Sequence, residues 1–285
     1  VIIQSDRLGI YYDHAERMIA TGKAYVCTCS GDQFRELSLK KQACPCREIP
    51  KQEQLIRWAK MFSEFKPGDA VVRIKTSISD PNPAMRDWPA FRINDKHHPR
   101  KGSEVKVWPL MNFAVAVDDH ELNVTHAIRG KDHMDNEKKQ KFVFDFFKWK
   151  IPTHLYIGRV NFLGFDLSSS ETKKKIQRGE YDGWDDIRIP FLPALKRRGY
   201  QPDAFTRFAV EMGVSQNDKT ITGEDYFKSL NAFNKDIIDI KSNRYFFVIE
   251  PVEITVENAP EQKVELELHP EDNKRGKRIF KTSTK

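Results

Sequence analysis

All four cysteines of the chain lie in one 20-residue window, as Cys27-Thr-Cys29 and, after 14 intervening residues, Cys44-Pro-Cys46. Two close pairs joined by a short excursion gather four thiols around one point, the donor set of a tetrahedral Zn²⁺ site. Four protein ligands leave no open coordination position. A zinc ion held by Cys27, Cys29, Cys44 and Cys46 is therefore expected to be structural. On the residues alone, two alternatives stay open: a pair of disulfides, which requires an oxidising compartment, or four free thiols in a core. Nothing in the chain indicates secretion, and the Lys and Arg residues around Cys44-Pro-Cys46 are unlike core sequence. A metal staple would hold a small lobe whose loop, Ser30 to Ala43, has too little apolar surface to fold unaided.

The chain is long enough, at 285 residues, for two or three domains, and its 19 Phe and 5 Trp can fill substantial cores. No run of about 18 apolar residues is present, which excludes a membrane-spanning helix. No charged and apolar leader opens the sequence, so a cytoplasmic location is expected. The formal net charge is +7, and the basic residues cluster. Lys138, Lys139, Lys141, Lys148 and Lys150 form one group, Lys173, Lys174 and Lys175 a second, and Lys196, Arg197 and Arg198 a third. Any one cluster is compatible with a solvated face. Several along one chain point to a polyanionic partner, nucleic acid being the usual one.

Periodicity divides the chain into elements. Ser5 to Thr21 has apolar residues at helical spacing, with Ser5 or Asp6 as cap and Gly22 as stop. Ala24 to Cys29 is strand-like, and Lys51 to Phe65 is a second helix. Ala70 to Ile74, Phe91 to Ile93 and Glu104 to Trp108 are predicted strands, with a Pro-rich loop from Asp80 to Pro89. Asn112 to Val117 is a short apolar segment. Val124 to Ile128 and Leu155 to Val160 are strands flanking a helix over Met134 to Phe147, a strand–helix alternation that predicts a parallel α/β sheet. Ser168 to Lys175 reads as a loop, and Phe191 to Asp239 as mostly helical. From Arg244 the pattern switches to period two, in Phe246, Val248, Val252, Ile254 and Val256 and again in Val264, Leu266 and Leu268, predicting a separate β domain.

Five ordered segments carry a family resemblance. Gln4-Ser5-Asp6-Arg7 with Tyr11 or Tyr12, continued by Gly22-Lys23-Ala24-Tyr25, resembles the helix that leads to the acceptor-binding insertion of glutamyl- and glutaminyl-tRNA synthetases. Phe113 to His120 resembles the central strand of that family, and Thr125-His126-Ala127-Ile128-Arg129-Gly130-Lys131-Asp132-His133 its following signature. Gly183-Trp184-Asp185-Asp186-x-Arg188 and Leu195-Lys196-Arg197-Arg198-Gly199 are similar to the segment after its mobile ATP loop. The Arg-Gly-Lys-Asp-His form is the glutamyl version. An arginine there suits a substrate with carboxylates, which a guanidinium binds bidentately. The β pattern after Arg244 resembles the anticodon-binding barrels of archaeal relatives.

The resemblance implies an α/β fold: a partial class I synthetase (Rossmann-like) nucleotide-binding domain with a zinc-containing α+β insertion, a helical stem-contact region and the start of a C-terminal β-barrel. The boundaries it implies are 1–23 and 109–165 for the two parts of the catalytic domain and 24–108 for the insertion. The mobile loop and stem-contact helices take 166–240, and the barrel 241–285. The implied activity is ATP- and Mg²⁺-dependent formation of glutamyl-adenylate from L-glutamate, then transfer to tRNA-Glu and, in a non-discriminating enzyme, tRNA-Gln, by a monomer. Alternatives are a glutaminyl enzyme, against which Arg129 argues, and a non-catalytic zinc-stapled RNA-binding derivative.

Arg129, Met111 and Val115 are the implied substrate-pocket residues. Met111 stands where many relatives have tyrosine. Ser168, Ser169, Ser170 and Lys173 are the implied ATP contacts. Both lysines of the usual Lys-Met-Ser-Lys-Ser loop are replaced, by Asp166 and Ser169; hydroxyls and backbone amides remain to contact phosphates, and Lys173, Lys174 or Lys175 is the implied source of the cation. Lys196, Arg197 and Arg198 are the implied tRNA contacts. No His-x-Gly-His signature occurs and the first residue is Val1. The expectation is that this ATP motif lies upstream, and that these 285 residues alone do not make adenylate.

Overall fold

The computed structural model describes residues 1–165 and 167–281. The chain forms two compact units: Val1–Arg159 with Val214–Asn217, and Val160–Gly213 with Asp218–Lys285. Among the described residues no helix is long and apolar enough to cross a membrane.

The first unit opens with helix α1 (Leu8–Thr21). The expected side-chain cap is absent. Gln4–Asp6 form a 3₁₀ turn, Arg7 is the N-cap without a side-chain bond, and Ser5 is buried with its hydroxyl unpartnered. The C-terminal stop is as expected: Gly22, at φ 80°, takes the left-handed conformation that glycine adopts without a Cβ penalty. Strands β1 (Ala24–Cys27), β2 (Val71–Ile74), β3 (Pro89–Ile93) and β4 (Val107–Pro109) form an antiparallel meander in that order. Between β1 and β2 run helices α2 (Gly31–Leu39) and α3 (Lys51–Ser63). Ser30 and Gln33 close a capping box at the start of α2.

Phe113 to His120, expected as a strand, is instead part of helix α4 (Met111–Glu121). The burial pattern gives the reason. Phe113, Ala114, Ala116 and Val117 are all buried, the i, i+1, i+3, i+4 spacing of one helix face, where a strand would alternate. The expected parallel unit follows. Strand β5 (His126–Gly130) pairs in parallel with β6 (Thr153–Ile157), from His126 opposite Thr153 to Gly130 opposite Ile157, and helix α5 (Met134–Phe147) crosses between them. One core joins α1, α3, α4, α5 and the meander through Tyr11, Ile19, Trp58, Met61, Phe91, Phe113 and Phe144. Its rings meet edge to face, Phe91 to Phe113 at 4.9 Å and Trp58 to Phe62 at 4.8 Å.

In the second unit, β7 (Val160–Leu163) pairs in parallel with β8 (Lys219–Thr222). The Ser/Lys stretch expected as a loop is helix α6 (Ser169–Gln177). Ser168 Oγ accepts from the Glu171 amide at 3.3 Å, and Lys174 pairs with Glu171 one turn away at 2.8 Å. Capping and an i, i+3 ion pair thus make a helix of a segment that has only a weak apolar stripe. Helices α7 (Leu192–Arg197), α8 (Pro202–Met212) and α9 (Gly223–Ile238) pack on a core of Leu195, Tyr200, Ala204 and Leu230.

Of the expected β domain, the described residues form a hairpin of β9 (Lys263–Glu267) and β10 (Lys277–Lys281). Phe246, Val248, Val252, Ile254 and Val256 alternate as strands do, yet they carry no strand and are exposed. No neighbouring strand among the described residues hydrogen-bonds to them, and period two alone does not supply one.

Candidate functional site

Met111, Val115 and Arg129 line one cavity of about 350 Å³, together with Ile128, Gly130, His133 and Gln140. Met111 and Val115 are one turn apart on α4, so both face the same side. Arg129 and Gly130 end β5, and His133 closes the 3₁₀ turn that leads into α5. The cavity therefore lies at the carboxyl end of parallel strands, where open α/β sheets bind ligands.

Arg129 is held from two sides. Its Nη1 donates to Gln140 Oε1 at 2.8 Å, and its Nη2 to Asp119 Oδ2 at 3.3 Å. Two of the guanidinium's five N–H donors are engaged in this way. Gln140, only 1% exposed, also donates to Asn112 Oδ1 at 3.4 Å. Asn112 donates in turn to Asn136, whose side-chain amide lies 2.8 Å from His133 Nδ1. Burial pushes the Asp119 carboxyl up, against the pull of Arg129. Burial likewise pushes His154 down, and Arg129 adds to that effect. Tyr156 is pushed up to about 12, first by burial and then by its hydrogen bond to Glu137. A guanidinium fixed in place by Gln140 and Asp119, with three N–H donors to spare, can receive a further acceptor such as a carboxylate.

The four cysteine sulfurs all lie within 4.8 Å of one another, and none is in a disulfide. Cys27 Sγ to Cys44 Sγ is 3.8 Å and Cys29 Sγ to Cys46 Sγ is 3.7 Å. A tetrahedral ion with metal–sulfur bonds of ~2.3 Å requires sulfur–sulfur edges of ~3.8 Å, so the residues fit such an ion. Tyr25 Oη lies 3.4 Å from Cys44 Sγ and donates to Asp87 Oδ2 at 2.9 Å. The Thr28 amide and Arg57 Nη1 both point at Cys46 Sγ, at 3.4 and 3.6 Å. Cys44 is held down at about 5, chiefly by its hydrogen bond with Cys27. Cys27 is pushed up by that same bond and by burial.

The remaining expected sites are exposed. Ser168 is the N-cap of α6, and Ser169 and Ser170 are its first residues. Asp166 lies outside the described residues. Of the three candidate lysines, Lys174 is occupied by Glu171, whereas Lys173 pairs with no described residue. Lys196, Arg197 and Arg198 lie at the end of α7 but are not equivalent. Arg197 reaches Asp185 at 3.6 Å, and Arg198 lies over the Phe227 ring at 4.7 Å. Lys196 has no acidic partner among the described residues.

Sequence reasoning missed Asp119 and Gln140, which hold Arg129. Gln140 sits in a run of Lys and Glu and carries no signal. Asp119 lay inside a motif read as a strand, where its position relative to Arg129 does not follow.

A family profile described as tRNA synthetases class I (E and Q), catalytic domain, matches residues 1–240, and one for the anti-codon binding domain of the same class matches 242–285. The chain belongs to the class I tRNA synthetases of the E and Q type. It is 50% identical over 281 residues to the glutamate–tRNA ligase of Thermococcus kodakarensis, covering 98% of this chain and 48% of that protein. With the glutamate–tRNA ligase of Pyrococcus horikoshii the identity is 48% over 283 residues, covering 99% and 49%. The chain spans about half the length of the curated relatives it matches. A crystal structure of a glutamate tRNA ligase from Elizabethkingia meningosepticum, in complex with its amino acid, matches with a TM-score of 0.52 over 84% of this chain and 54% of that one. At 18% identity this likeness concerns the fold alone.

Proposed function

We propose that these residues serve a glutamate–tRNA ligase, and that Met111, Val115 and Arg129 form the part of its pocket that reads the amino acid. The observation that carries this reading is the shared cavity at the end of β5, with a buttressed guanidinium in it. An arginine with free donors favours the carboxylate of glutamate over the neutral amide of glutamine. The high identity to proteins named glutamate–tRNA ligase supports the same choice.

In this reading ATP and Mg²⁺ supply the activating chemistry, and no covalent enzyme intermediate is needed. The chain's own groups orient and neutralise. The amides at the start of α6, with Ser168, Ser169 and Ser170, face the polyphosphate, and Lys173 supplies the cation that the lysine-poor loop otherwise lacks. Lys196, Arg197 and Arg198 contact the tRNA backbone. Cys27, Cys29, Cys44 and Cys46 hold a structural Zn²⁺ that staples the lobe between β1 and α3. The domain limits are those given by the sequence reading, with 24–108 as the acceptor-binding insertion and 241–285 as anticodon-binding.

The test is a charging assay on a polypeptide of the relatives' full length that contains these residues. Glutamate is expected to be attached to tRNA-Glu and glutamine not, with Arg129→Ala abolishing the reaction. Equal use of glutamine would overturn the assignment. Charging of a tRNA-Gln transcript with glutamate in the same assay decides whether the enzyme is non-discriminating.

A further inference from the structure

We propose that Arg57 is a positioning residue for the cysteine metal centre: it clamps Cys46 and offsets the excess negative charge of the cluster. The inference rests on the metal reading above. Four thiolates around one divalent cation carry a net charge of −2. Cys27, Cys44 and Cys46 are 1%, 3% and 6% exposed, so that charge sits largely out of water. Buried charge is costly unless it is paired and hydrogen-bonded.

Arg57 comes from α3, outside the cysteine window. Its Nη1 lies 3.6 Å from Cys46 Sγ and 3.4 Å from Thr28 Oγ1. Thr28 in turn sends its amide to the same sulfur at 3.4 Å. One guanidinium therefore bridges the two halves of the cluster, Thr28 between Cys27 and Cys29 on one side and Cys46 on the other. Gln54, one turn earlier on the same helix face, grips the backbone around it. Its side chain donates to the Cys46 carbonyl at 2.6 Å and accepts from the Val26 amide at 2.8 Å. The two side chains thus hold Cys46 by its carbonyl and by its sulfur.

The helix is a firm base for both, because Trp58 and Met61 anchor it in the main core. Arg57 also has an ordinary partner one turn back, Glu53 at 3.4 Å. If that exposed pair were its whole role, removing Arg57 would leave the metal unaffected, since exposed pairs of this kind contribute little.

The test uses the 285-residue chain loaded with one equivalent of Zn²⁺ and follows transfer of the metal to a chromophoric chelator. Arg57→Ala is expected to weaken zinc retention by roughly 10–100-fold. Arg57→Lys, which keeps the charge but loses the fork, should fall between Ala and wild type. Lys60→Ala, on the same helix and paired with Glu64, should match wild type. Retention by Arg57→Ala equal to that of wild type overturns the clamp. Should Arg57→Ala fail to fold, the lysine variant decides, and parity with wild type again overturns it. A wild-type chain that takes up no stoichiometric Zn²⁺ is a separate result, which removes the metal reading itself.

Discussion

Replacing Asp118 by alanine is expected to be among the most damaging single changes in the first unit. Asp118 sits on α4, is 8% exposed, and gathers three side chains from the start of the chain. Gln4 Nε2 and Arg7 Nε each donate to it at 2.9 Å, and the Tyr11 hydroxyl lies 2.7 and 2.8 Å from its two oxygens. Alanine leaves the Arg7 cation without its counter-ion, and Arg7 Nη2 is already buried without a partner. Breaking a buried pair costs about 3–5 kcal/mol, but Arg7 keeps 20% side-chain exposure, so the lower part of that range applies. The Tyr11 hydroxyl, at 0% exposure, is stranded as well, adding about 1–3 kcal/mol. These losses share one carboxylate and do not sum fully, so about 3–5 kcal/mol is expected. For a unit of this size that corresponds to a fall in Tm of roughly 6–20 °C. Tyr11→Phe removes one donor and keeps the ion pair, costing about 1–1.5 kcal/mol. Thermal unfolding followed by near-ultraviolet circular dichroism measures both. An Asp118→Ala protein that melts within about 1 kcal/mol of wild type would refute the idea that this carboxylate ties α1 to α4.

The other expectations are more local. Chelation of the metal should open the lobe between β1 and α3 while the main core stays folded, because the cysteines form a separate cluster with few apolar neighbours; limited proteolysis should cut within residues 30–46 after chelation and not before. Asp186 is held well below its ordinary 3.8 by Arg188, with help from the amides of Arg188 and Asp182. Its contribution is therefore full above pH 3.8 and is lost as the pH falls below that value, so the protection of the Arg188 and Asp182 amides relative to intrinsic exchange at the same pH should fall on acidification and already be low in Asp186→Ala at neutral pH. Replacing Lys196, Arg197 and Arg198 together should weaken tRNA binding and lower the slope of log K against log salt by roughly 0.7–0.9 per lost phosphate contact, with Lys196 alone giving the largest single effect; an unchanged slope in a filter-binding titration counts against these contacts.

How far the sequence reveals this molecule depends on how local the signal is. The cysteine spacing was enough to place four sulfurs together, because a pair of close ligands needs only a short return of the chain. Helix α5 was readable from Met134 to Phe147, and the β5–α5–β6 unit followed from it. Phe113 to His120 misled, since five apolar residues in a row fit a buried strand as well as a buried helix; the neighbours that bury one face decide the matter. The stretch from Phe246 to Val256 shows the converse, a strand pattern with no strand to pair with. Met111, Val115 and Arg129, singled out through the family resemblance, line one cavity. Gln140 and Asp119 were not, because their importance lies in where α4 and α5 bring them.

The most direct measurement is a titration of the chain with L-glutamate, observed at the Met111 methyl group by NMR. Met111 is half exposed at the mouth of the cavity that holds Arg129, so a ligand seated there must move its signal. The account predicts a saturable shift with L-glutamate, little with L-glutamine, and none in Arg129→Ala. An identical shift with glutamine, or one that persists without Arg129, would contradict the claim that this guanidinium reads the carboxylate of the substrate.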